Sequence, residues 1–209
     1  MNLRLDHFIY AGRDLEAMRQ QFERLTGVAP ARGGRHPGLG THNALASLGD
    51  DVYFELLAVD PEQRQSLEGT MGGRIDALPY PRLFAYMLRG RDLKRQKDIL
   101  KRHGIEADLF DASRNTPDGR TLNWRLLVPH PHPLGDFVPK FIDWLDTVHP
   151  ATTSTRGCTF ESFELGHPDA AVLNALLKDL GADLLVESAD QPCFRLRVQS
   201  PRGRVNFIG

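Results

Sequence analysis

Apolar and polar positions follow one order three times along the chain: a strand, a short polar turn, and a helix with one apolar face. In the first copy the strand spans residues 3–11. Asp14 begins the helix, because its carboxylate can accept the free amide hydrogens of a first turn, and Gly27 ends it. The apolar residues of this helix recur every three or four positions, as expected for a face packed on a core: Leu15, Met18, Phe22 and Leu25.

The second and third copies repeat this order. A strand at 83–88 leads through Gly-Arg-Asp-Leu to a helix that ends at Gly104, and the same tetrapeptide occurs in the first copy. The third copy has a strand at 158–165 and a helix that ends at Gly181. Successive helix ends lie 77 residues apart. This self-similarity predicts a repeated supersecondary unit.

The first two copies continue with further strand-like runs and predict β-α-β-β-β modules at 3–60 and 82–146. We therefore expect an α+β fold in which these modules pair within a domain of residues 1–150. Curled mixed sheets would carry the helices on their outer faces. Residues 157–209 predict a third, shorter β-α-β-β-β-like module. Because the chain offers it no second module to pair with, we expect it to pack on a partner subunit, as in a homodimer or larger homo-oligomer.

Composition and charge narrow the classes of partner. The chain of 209 residues is 41% hydrophobic and has a formal net charge of −1. Without a basic excess to neutralise phosphates, we expect no nucleic-acid partner. There is no apolar run of about 18 residues and no signal-peptide pattern, which predicts a cytoplasmic protein without a membrane partner. The glycine-rich segment 33–40 lacks the Gly-Lys-Ser/Thr end of a phosphate loop, and we expect no nucleotide cofactor.

Strand alternation identifies a candidate site on the inner face of the first module. It places one set of side chains, Leu5, His7 and Ile9, opposite another, Asp6, Phe8 and Tyr10. In the closing strand, Glu55 shares a face with Tyr53 and Leu57. If the helix covers Phe8, then His7 and Glu55 both face the concave side of the sheet. An imidazole and a carboxylate on neighbouring strands supply half of a site for Zn²⁺, Fe²⁺, Mn²⁺ or Ni²⁺.

Several motifs resemble those of one protein family: Leu5-Asp6-His7, the run Gly-Arg-His-Pro-Gly-Leu-Gly-Thr-His-Asn at 34–43, and Tyr53-Phe54-Glu55-Leu56. With the segment 138–144 and His149-Pro150, they resemble the glyoxalase-like branch of the vicinal oxygen chelate superfamily. The resemblance implies paired modules around a divalent metal, with one ligand from the first and one from the last strand of each module. It also implies substrates that chelate the metal through adjacent oxygens, although other members bind drugs without a metal.

Carried over by position, the resemblance assigns His7 and Glu55 as metal ligands. In the second module Ala85 takes the place of His7 and cannot ligate, and Asp143 is the nearest carboxylate for the remaining position. His7, Glu55 and Asp143 would form an open site for iron or manganese, completed by water or substrate. If displaced from the metal, Glu55 would act as the catalytic base.

Side chains near the predicted rim are candidates for binding the substrate. His36, His42 and Asn43 border the end of the glycine-rich segment and could orient a polar substrate, although they are equally suited to stabilising a turn. Arg125 is the remaining candidate. It neighbours Trp124 in one strand, so only one of the two can face the cavity.

These observations favour an enzyme: a divalent-metal-dependent lyase, isomerase or dioxygenase that acts on a small oxygenated organic molecule. The metal would polarise adjacent oxygens and stabilise an enediolate or similar anion. Two alternatives stay open. One is a metal-free protein whose cup binds a hydrophobic ligand against Leu5, Ile9 and Leu57. The other is an assembly scaffold without an active cavity.

Overall fold

The computed structural model of the protein describes residues 3–115, 119 and 121–209. The first module contains β1 (Arg4–Gly12), α1 (Leu15–Thr26), β2 (Ala31–His36), β3 (Thr41–Ser47) and β4 (Tyr53–Val59). A 3-10 turn at Pro61–Ser66 and helix α2 (Met71–Asp76) connect it to the second module. That module contains β5 (Arg82–Arg89), α3 (Leu93–Arg102), β6 (Ala107–Asn115), β7 (Thr121–Pro129), a 3-10 turn at Gly135–Phe137 and β8 (Lys140–Asp143). The remaining elements are α4 (Pro150–Thr153), β9 (Thr159–His167), α5 (Ala170–Leu180), β10 (Val186–Ser188), β11 (Cys193–Ser200) and β12 (Gly203–Ile208).

The first two modules join into one mixed sheet of eight strands in the order β2-β3-β4-β1-β5-β8-β7-β6. Within each module the first and last strands pair in parallel, β1 with β4 and β5 with β8. The modules meet through the antiparallel pair β1 and β5. The outermost strands, β2 and β6, contact each other, so the sheet curls round on itself. The expected α+β fold with a curled mixed sheet is confirmed.

The helices begin and end where the sequence predicts. Asp14 and Asp92 each accept a hydrogen bond from a backbone N–H three residues later, at 3.0 and 3.1 Å. The glycines at the three helix ends adopt left-handed backbone conformations, with φ of 79°, 74° and 73°: Gly27, Gly104 and Gly181. Within the residues described above, no helix has both the length and the hydropathy needed to cross a bilayer.

Apolar layers cover both faces of the large sheet. The outer layer fills the space beneath α1 and α3, and its largest buried side chains include Phe8, Phe22, Phe54, Tyr86 and Phe141. The inner layer lines the concave face and includes Ile9, Tyr53, Leu57, Met87, Trp124, Ile142 and Trp144. The helices α1 and α3 therefore lie outside the cup, as expected.

The third module keeps the predicted order of elements but not the strand order of the first two. Its sheet runs β10-β9-β11-β12, so its first strand does not pair with its last. This sheet packs on the outer face of the large sheet, where Phe163 contacts Phe8 and Phe207 contacts Phe54 at ring-centroid distances of 4.8 and 4.6 Å. The chain itself thus covers the apolar face of the third module, which removes the reason for expecting a partner subunit there.

Candidate functional site

A β-bulge in β1 places Asp6 beside His7. Leu5 pairs with Leu88 and His7 pairs with Met87, so Asp6 is an extra residue with no partner position in β5. Strand alternation is broken at this point. Leu5 consequently packs with the outer layer rather than in the cup, and Asp6 turns towards His7. Both positions correct the assignment of faces made from alternation alone.

Asp6 is fully buried, and both of its oxygens accept hydrogen bonds. Oδ1 accepts from His7 Nδ1 at 2.6 Å, and Oδ2 accepts from Trp144 Nε1 at 3.0 Å and from His149 Nε2 at 2.9 Å. Burial opposes ionisation, but the hydrogen bonds from His149 and His7 outweigh it and lower the pKa of Asp6 to about 2. Asp6 therefore stays a carboxylate and fixes the orientation of the His7 ring.

His7 and Glu55 face each other at the cavity wall. The His7 Nε2 atom lies 3.5 Å from Glu55 Oε2, and Glu55 Oε1 accepts a hydrogen bond from Asn43 Nδ2 at 2.6 Å. Burial alone would lower the pKa of His7, but its interactions with Asp6 and Glu55 raise it to about 9. Burial alone would raise the pKa of Glu55, but His7 above all holds it at about 2. The pair is an imidazolium facing a carboxylate.

The amide of Asn43 determines the tautomer of His36. Asn43 Oδ1 accepts from the backbone N–H of Gly34 at 2.9 Å, which leaves Nδ2 as the donor towards His36 Nε2 at 3.3 Å. His36 Nε2 is therefore an acceptor, and its Nδ1–H donates to Thr41 Oγ1 at 2.9 Å. Burial lowers the pKa of His36, in keeping with a neutral imidazole. The structure brings both His36 and Asn43 to the cavity, where each is bonded to protein groups.

Arg114 reaches this cluster from the opposite edge of the large sheet. It lies on β6, which contacts β2 where the sheet curls round. Its Nη1 atom lies 3.3 Å from the position that a Cβ on Gly33 would take, beside Asn43. Arg114 lines the cavity and is 8% exposed. Burial lowers its pKa, while the proximity of Tyr53 and Glu55 acts in the opposite direction.

The concave face of the sheet encloses a cavity of about 380 Å³. Most of its wall is apolar and includes Ile9, Leu45, Leu57, Met87, Trp124, Ile142 and Trp144. The segment around α2 contributes Thr70, Met71 and Arg74 to the lining. The polar groups His7, Glu55, Arg114 and Lys140 interrupt this wall. The cavity is of the size and character of a small-molecule site.

The structure does not bring Arg125 or His42 to the cavity. Trp124 is the inward-facing member of its pair, and the Arg125 side chain lies on the other face, where its Nε donates to Asp111 at 2.8 Å. His42 alternates with Asn43 on β3 and therefore points away from the site. Both side chains lack the contact with the cavity that the predicted substrate-binding role needs.

Lys140, rather than Asp143, lies at the place equivalent to Glu55. Ile9 pairs with Glu55 in β1 and β4, and Met87, at the matching position of the second module, pairs with Lys140 in β5 and β8. Asp143 comes three residues later, where its Oδ1 accepts from the N–H of residue 145 at 3.0 Å. It lines a separate surface depression and not the cavity that holds His7 and Glu55.

The groups at the cavity do not fit the four-ligand metal site that the resemblance implies. Ala85 and Lys140 occupy the second-module positions, and the Lys140 ammonium is paired with Asp136 at 2.7 Å. His7 Nδ1 already donates a hydrogen bond, so only His7 Nε2 and the Glu55 carboxylate are left as metal ligands at the positions that the resemblance implies. Among residues 3–115, 119 and 121–209, no three His, Cys, Asp or Glu side chains converge to hold a metal ion.

Asp6, Arg114 and Lys140 are the groups at or beside the site that sequence reasoning missed. Asp6 follows from a bulge, for which the sequence carries no signal. Arg114 occupies an inward-facing position on β6 together with Phe110, and that alternation was a signal. Lys140 lies in the segment 138–144 that the resemblance had already singled out, but the register of β8 depends on contacts with β5.

Comparison with known proteins places the chain in a structural context. A family model described as a glyoxalase-like domain matches residues 5–181. No curated protein matches the chain. A hypothetical protein from Staphylococcus aureus, of known structure, has a TM-score of 0.67 and 17% identity; the match covers 99% of this chain and 85% of that one.

Two epimerase structures share part of this fold. One is a methylmalonyl-CoA epimerase in complex with methylmalonyl-CoA and ammonium, with a TM-score of 0.51, 16% identity, and coverage of 72% of this chain and 100% of that one. The other is a variant of Streptomyces coelicolor methylmalonyl-CoA epimerase in complex with 2-nitronate-propionyl-CoA, with a TM-score of 0.51, 16% identity, and coverage of 71% and 99%. At these identities the likeness concerns the fold alone.

Proposed function

The chain belongs to the glyoxalase-like domain family, and on that premise we propose that it is an isomerase or lyase in which Glu55 removes a proton from a small oxygenated substrate. One observation carries the proposal. Glu55 is a buried carboxylate at the wall of a mostly apolar cavity, and the Nε2 atom of the His7 imidazolium faces this carboxylate. Burying such a pair costs stability, and perturbed ionisable groups of this kind concentrate at catalytic sites.

His7 would act as the electrophile and Glu55 as the base. A substrate carbonyl oxygen accepts the His7 Nε2–H in place of Glu55, which removes one interaction that lowers the pKa of Glu55. Oε2 then takes a proton from the carbon next to the carbonyl. The electron pair moves onto the carbonyl oxygen, and the imidazolium stabilises the enolate. Return of a proton to the opposite face of that carbon, or to a different carbon, completes an isomerisation, and departure of a leaving group from the adjacent carbon completes an elimination.

The related structures support the isomerase class. The Streptomyces coelicolor protein is an epimerase, and an epimerase inverts a stereocentre. At a carbon next to a carbonyl, inversion requires a proton to leave and return. The fold shared with that protein is thus compatible with proton transfer at a carbon atom.

Exchange of substrate hydrogen with solvent tests the proposal. Wild-type protein in D₂O is incubated with 2-substituted thioesters, 2-oxo acids and 2-hydroxy ketones, and loss of the carbon-bound proton signal is followed by NMR. We expect exchange with at least one compound, a decrease of about 100-fold in Glu55→Gln, and no decrease in the matched control Asp111→Asn on the outer surface. Absence of exchange with every compound, or exchange that persists in Glu55→Gln, would overturn the proposal.

The metal-dependent form of the reaction, as a lyase, isomerase or dioxygenase, needs ligands besides His7 and Glu55. Plasma mass spectrometry of gently purified wild type and His7→Ala, side by side, measures the metal content. We expect no stoichiometric Zn, Fe, Mn or Ni whose retention depends on His7. A near-stoichiometric metal that is lost in the variant would replace the acid–base proposal with metal-ion catalysis.

A metal-free binding protein is the second candidate, favoured by the mostly apolar wall and by the low pKa of Glu55, which makes a weak base. In that case Glu55 serves to neutralise His7 and has no role in turnover. Glu55→Gln would then retain full ligand affinity, and no compound would exchange hydrogen in wild type.

A further inference from the structure

Arg114 is a buried cation at the cavity wall that has no hydrogen-bond acceptor among the described residues. It is 8% exposed, and across the described ranges no residue accepts a hydrogen bond from its guanidinium. Withdrawing a charge from water without a hydrogen-bonded partner is costly, and buried arginines are normally paired. The donors of Arg114 are instead available to a molecule in the cavity that it lines.

Glu55 and Asp6, the two carboxylates of the site, do not complete the hydrogen bonding of Arg114. Glu55 Oε1 already accepts from Asn43 and Glu55 Oε2 faces His7, so Glu55 interacts with Arg114 through its charge only. Asp6 is engaged by His7, Trp144 and His149. The planar guanidinium therefore keeps its fork of N–H donors, whose spacing matches the two oxygens of a carboxylate.

A second donor lies in the same part of the cavity. Tyr53 is 3% exposed, and its ring stacks on the His7 ring at a centroid distance of 4.4 Å. Tyr53 lines the cavity, and its hydroxyl makes no hydrogen bond within residues 3–115, 119 and 121–209. Tyr53 and Arg114 lie within electrostatic range of each other. Two buried, unengaged donors thus flank the Glu55–His7 pair.

From this arrangement we infer that the cavity takes a small organic acid, whose carboxylate is held by the Arg114 guanidinium and the Tyr53 hydroxyl. The apolar body of the acid packs against Trp124 and Trp144, whose rings lie 5.6 Å apart. The volume of about 380 Å³ limits the acid to a small one. This inference rests on the proposed function for the position of the reacting carbon, beside Glu55, but its binding test does not depend on turnover.

Fluorescence of the two cavity tryptophans measures binding directly. Acetate, 2-methylpropanoate and phenylacetate are each titrated against the matching neutral amide into wild type, Arg114→Gln, Arg114→Lys and the matched control Arg125→Gln. We expect wild type and Arg125→Gln to bind at least one acid about 10- to 100-fold more tightly than its amide. Arg114→Gln should lose this preference, and Arg114→Lys, which keeps the charge but not the fork, should retain a fraction of it.

Tyr53→Phe provides a second test if Arg114→Gln fails to fold, as judged by thermal melting. It should weaken the acid about 5-fold and leave the amide unchanged. The inference is overturned if no acid binds wild type, if acid and amide bind equally, or if both variants keep the wild-type preference. The two assays, run on wild-type protein, separate the two proposals. Absence of hydrogen exchange with an intact preference for acids refutes the reaction alone, whereas exchange without that preference refutes the carboxylate site alone.

Discussion

Asp6, His7 and Glu55 form a chain of charges in which each group determines the ionisation of the next. Asp6 binds one nitrogen of His7, and Glu55 faces the other. Because both neighbours are carboxylates, the imidazole gains a proton that burial alone would remove. The residue that would be an uncharged metal ligand in a complete chelate site is here a cation.

Stability should therefore decline on the alkaline side as His7 loses its proton. The pKa of His7 is raised from 6.5 to about 9 in the folded protein, so its contribution is complete below pH 6.5 and is lost as the pH rises through about 9. We expect the free energy of unfolding, from urea denaturation, to fall between these values. His7→Gln should remove that fall, and His130→Gln, at an exposed histidine, should preserve it.

Glu55 and Asp6 make stability depend on pH at the acidic end of the range. The pKa of Glu55 is lowered from 4.5 to about 2 and that of Asp6 from 3.8 to about 2, so their contributions are present above pH 4.5 and are lost as the pH falls towards 2. Maximum stability should lie between the acidic and alkaline limbs. A wild-type profile that stays flat from pH 6.5 to 9 would contradict the imidazolium assigned to His7.

The placement of His7 and Glu55 on the cavity face could be predicted from the sequence because strand alternation is regular from His7 onwards and throughout β4. Asp6 could not, because the bulge that turns it towards His7 arises from pairing with β5. The pattern within one strand contains no information about an extra residue relative to its neighbour. Asp6, one position before His7, thus has an environment that alternation does not predict.

Among the elements, strand β2 approaches β3 and β6 closely because Gly33 has no side chain. A Cβ at residue 33 would overlap the side-chain oxygen of Asn43, lie 3.0 Å from its Cγ and lie 3.3 Å from Arg114 Nη1. The backbone of Gly33 lies outside the left-handed region, so alanine fits its φ. The requirement for glycine is therefore one of space.

Gly33→Ala should displace Asn43 and break its hydrogen bond with Glu55. We expect a loss of about 1–3 kcal/mol in the free energy of unfolding, measured by urea denaturation, because a buried carboxylate loses a donor. The matched experiment introduces Gly33→Ala into an Asn43→Ala background, where the obstructing oxygen is gone and the further loss should be much smaller. An equal loss in both backgrounds would show that Asn43 is not the group displaced.

Helices were predictable because their signals are local: an Asp that accepts backbone hydrogen bonds at one end and a glycine with positive φ at the other. The strands of the third module illustrate the opposite case. Their existence could be inferred from short apolar runs, but their order could not, because β9 pairs with β10 and β11 through contacts between distant parts of the chain. The register of β8, and with it the place of Lys140, depends on β5 in the same way.

Across the whole molecule, the third module shares one apolar core with the outer face of the large sheet. Phe194 is 2% exposed, stacks on Phe137 at a centroid distance of 4.2 Å and contacts Tyr86 at 6.2 Å. A core that is continuous between the two sheets predicts that they unfold together.

Phe194→Ala should lower the free energy of unfolding by about 3–5 kcal/mol. Urea denaturation should show one transition by both tryptophan fluorescence and far-ultraviolet circular dichroism, although Trp124 and Trp144 lie on the opposite face of the large sheet. Ile208→Ala, at a position 59% exposed, should have little effect. A tryptophan signal that retains its wild-type midpoint in Phe194→Ala would show that the third module unfolds independently.

The meeting of β2 and β6 has a consequence for how proteins of this architecture diversify. His7 and Glu55, the pair proposed to transfer the proton, belong to the first copy of the repeated module, whereas Arg114 and Trp124 belong to the hairpin of the second copy. The second copy has Ala85 and Lys140 at the positions equivalent to the pair in the first copy. It therefore has no pair of metal ligands, and the need to keep such a pair does not limit its substitutions. Selection could therefore alter which molecule is recognised through β6 and β7 while the reactive half stays constant, and laboratory evolution of specificity should begin with that hairpin.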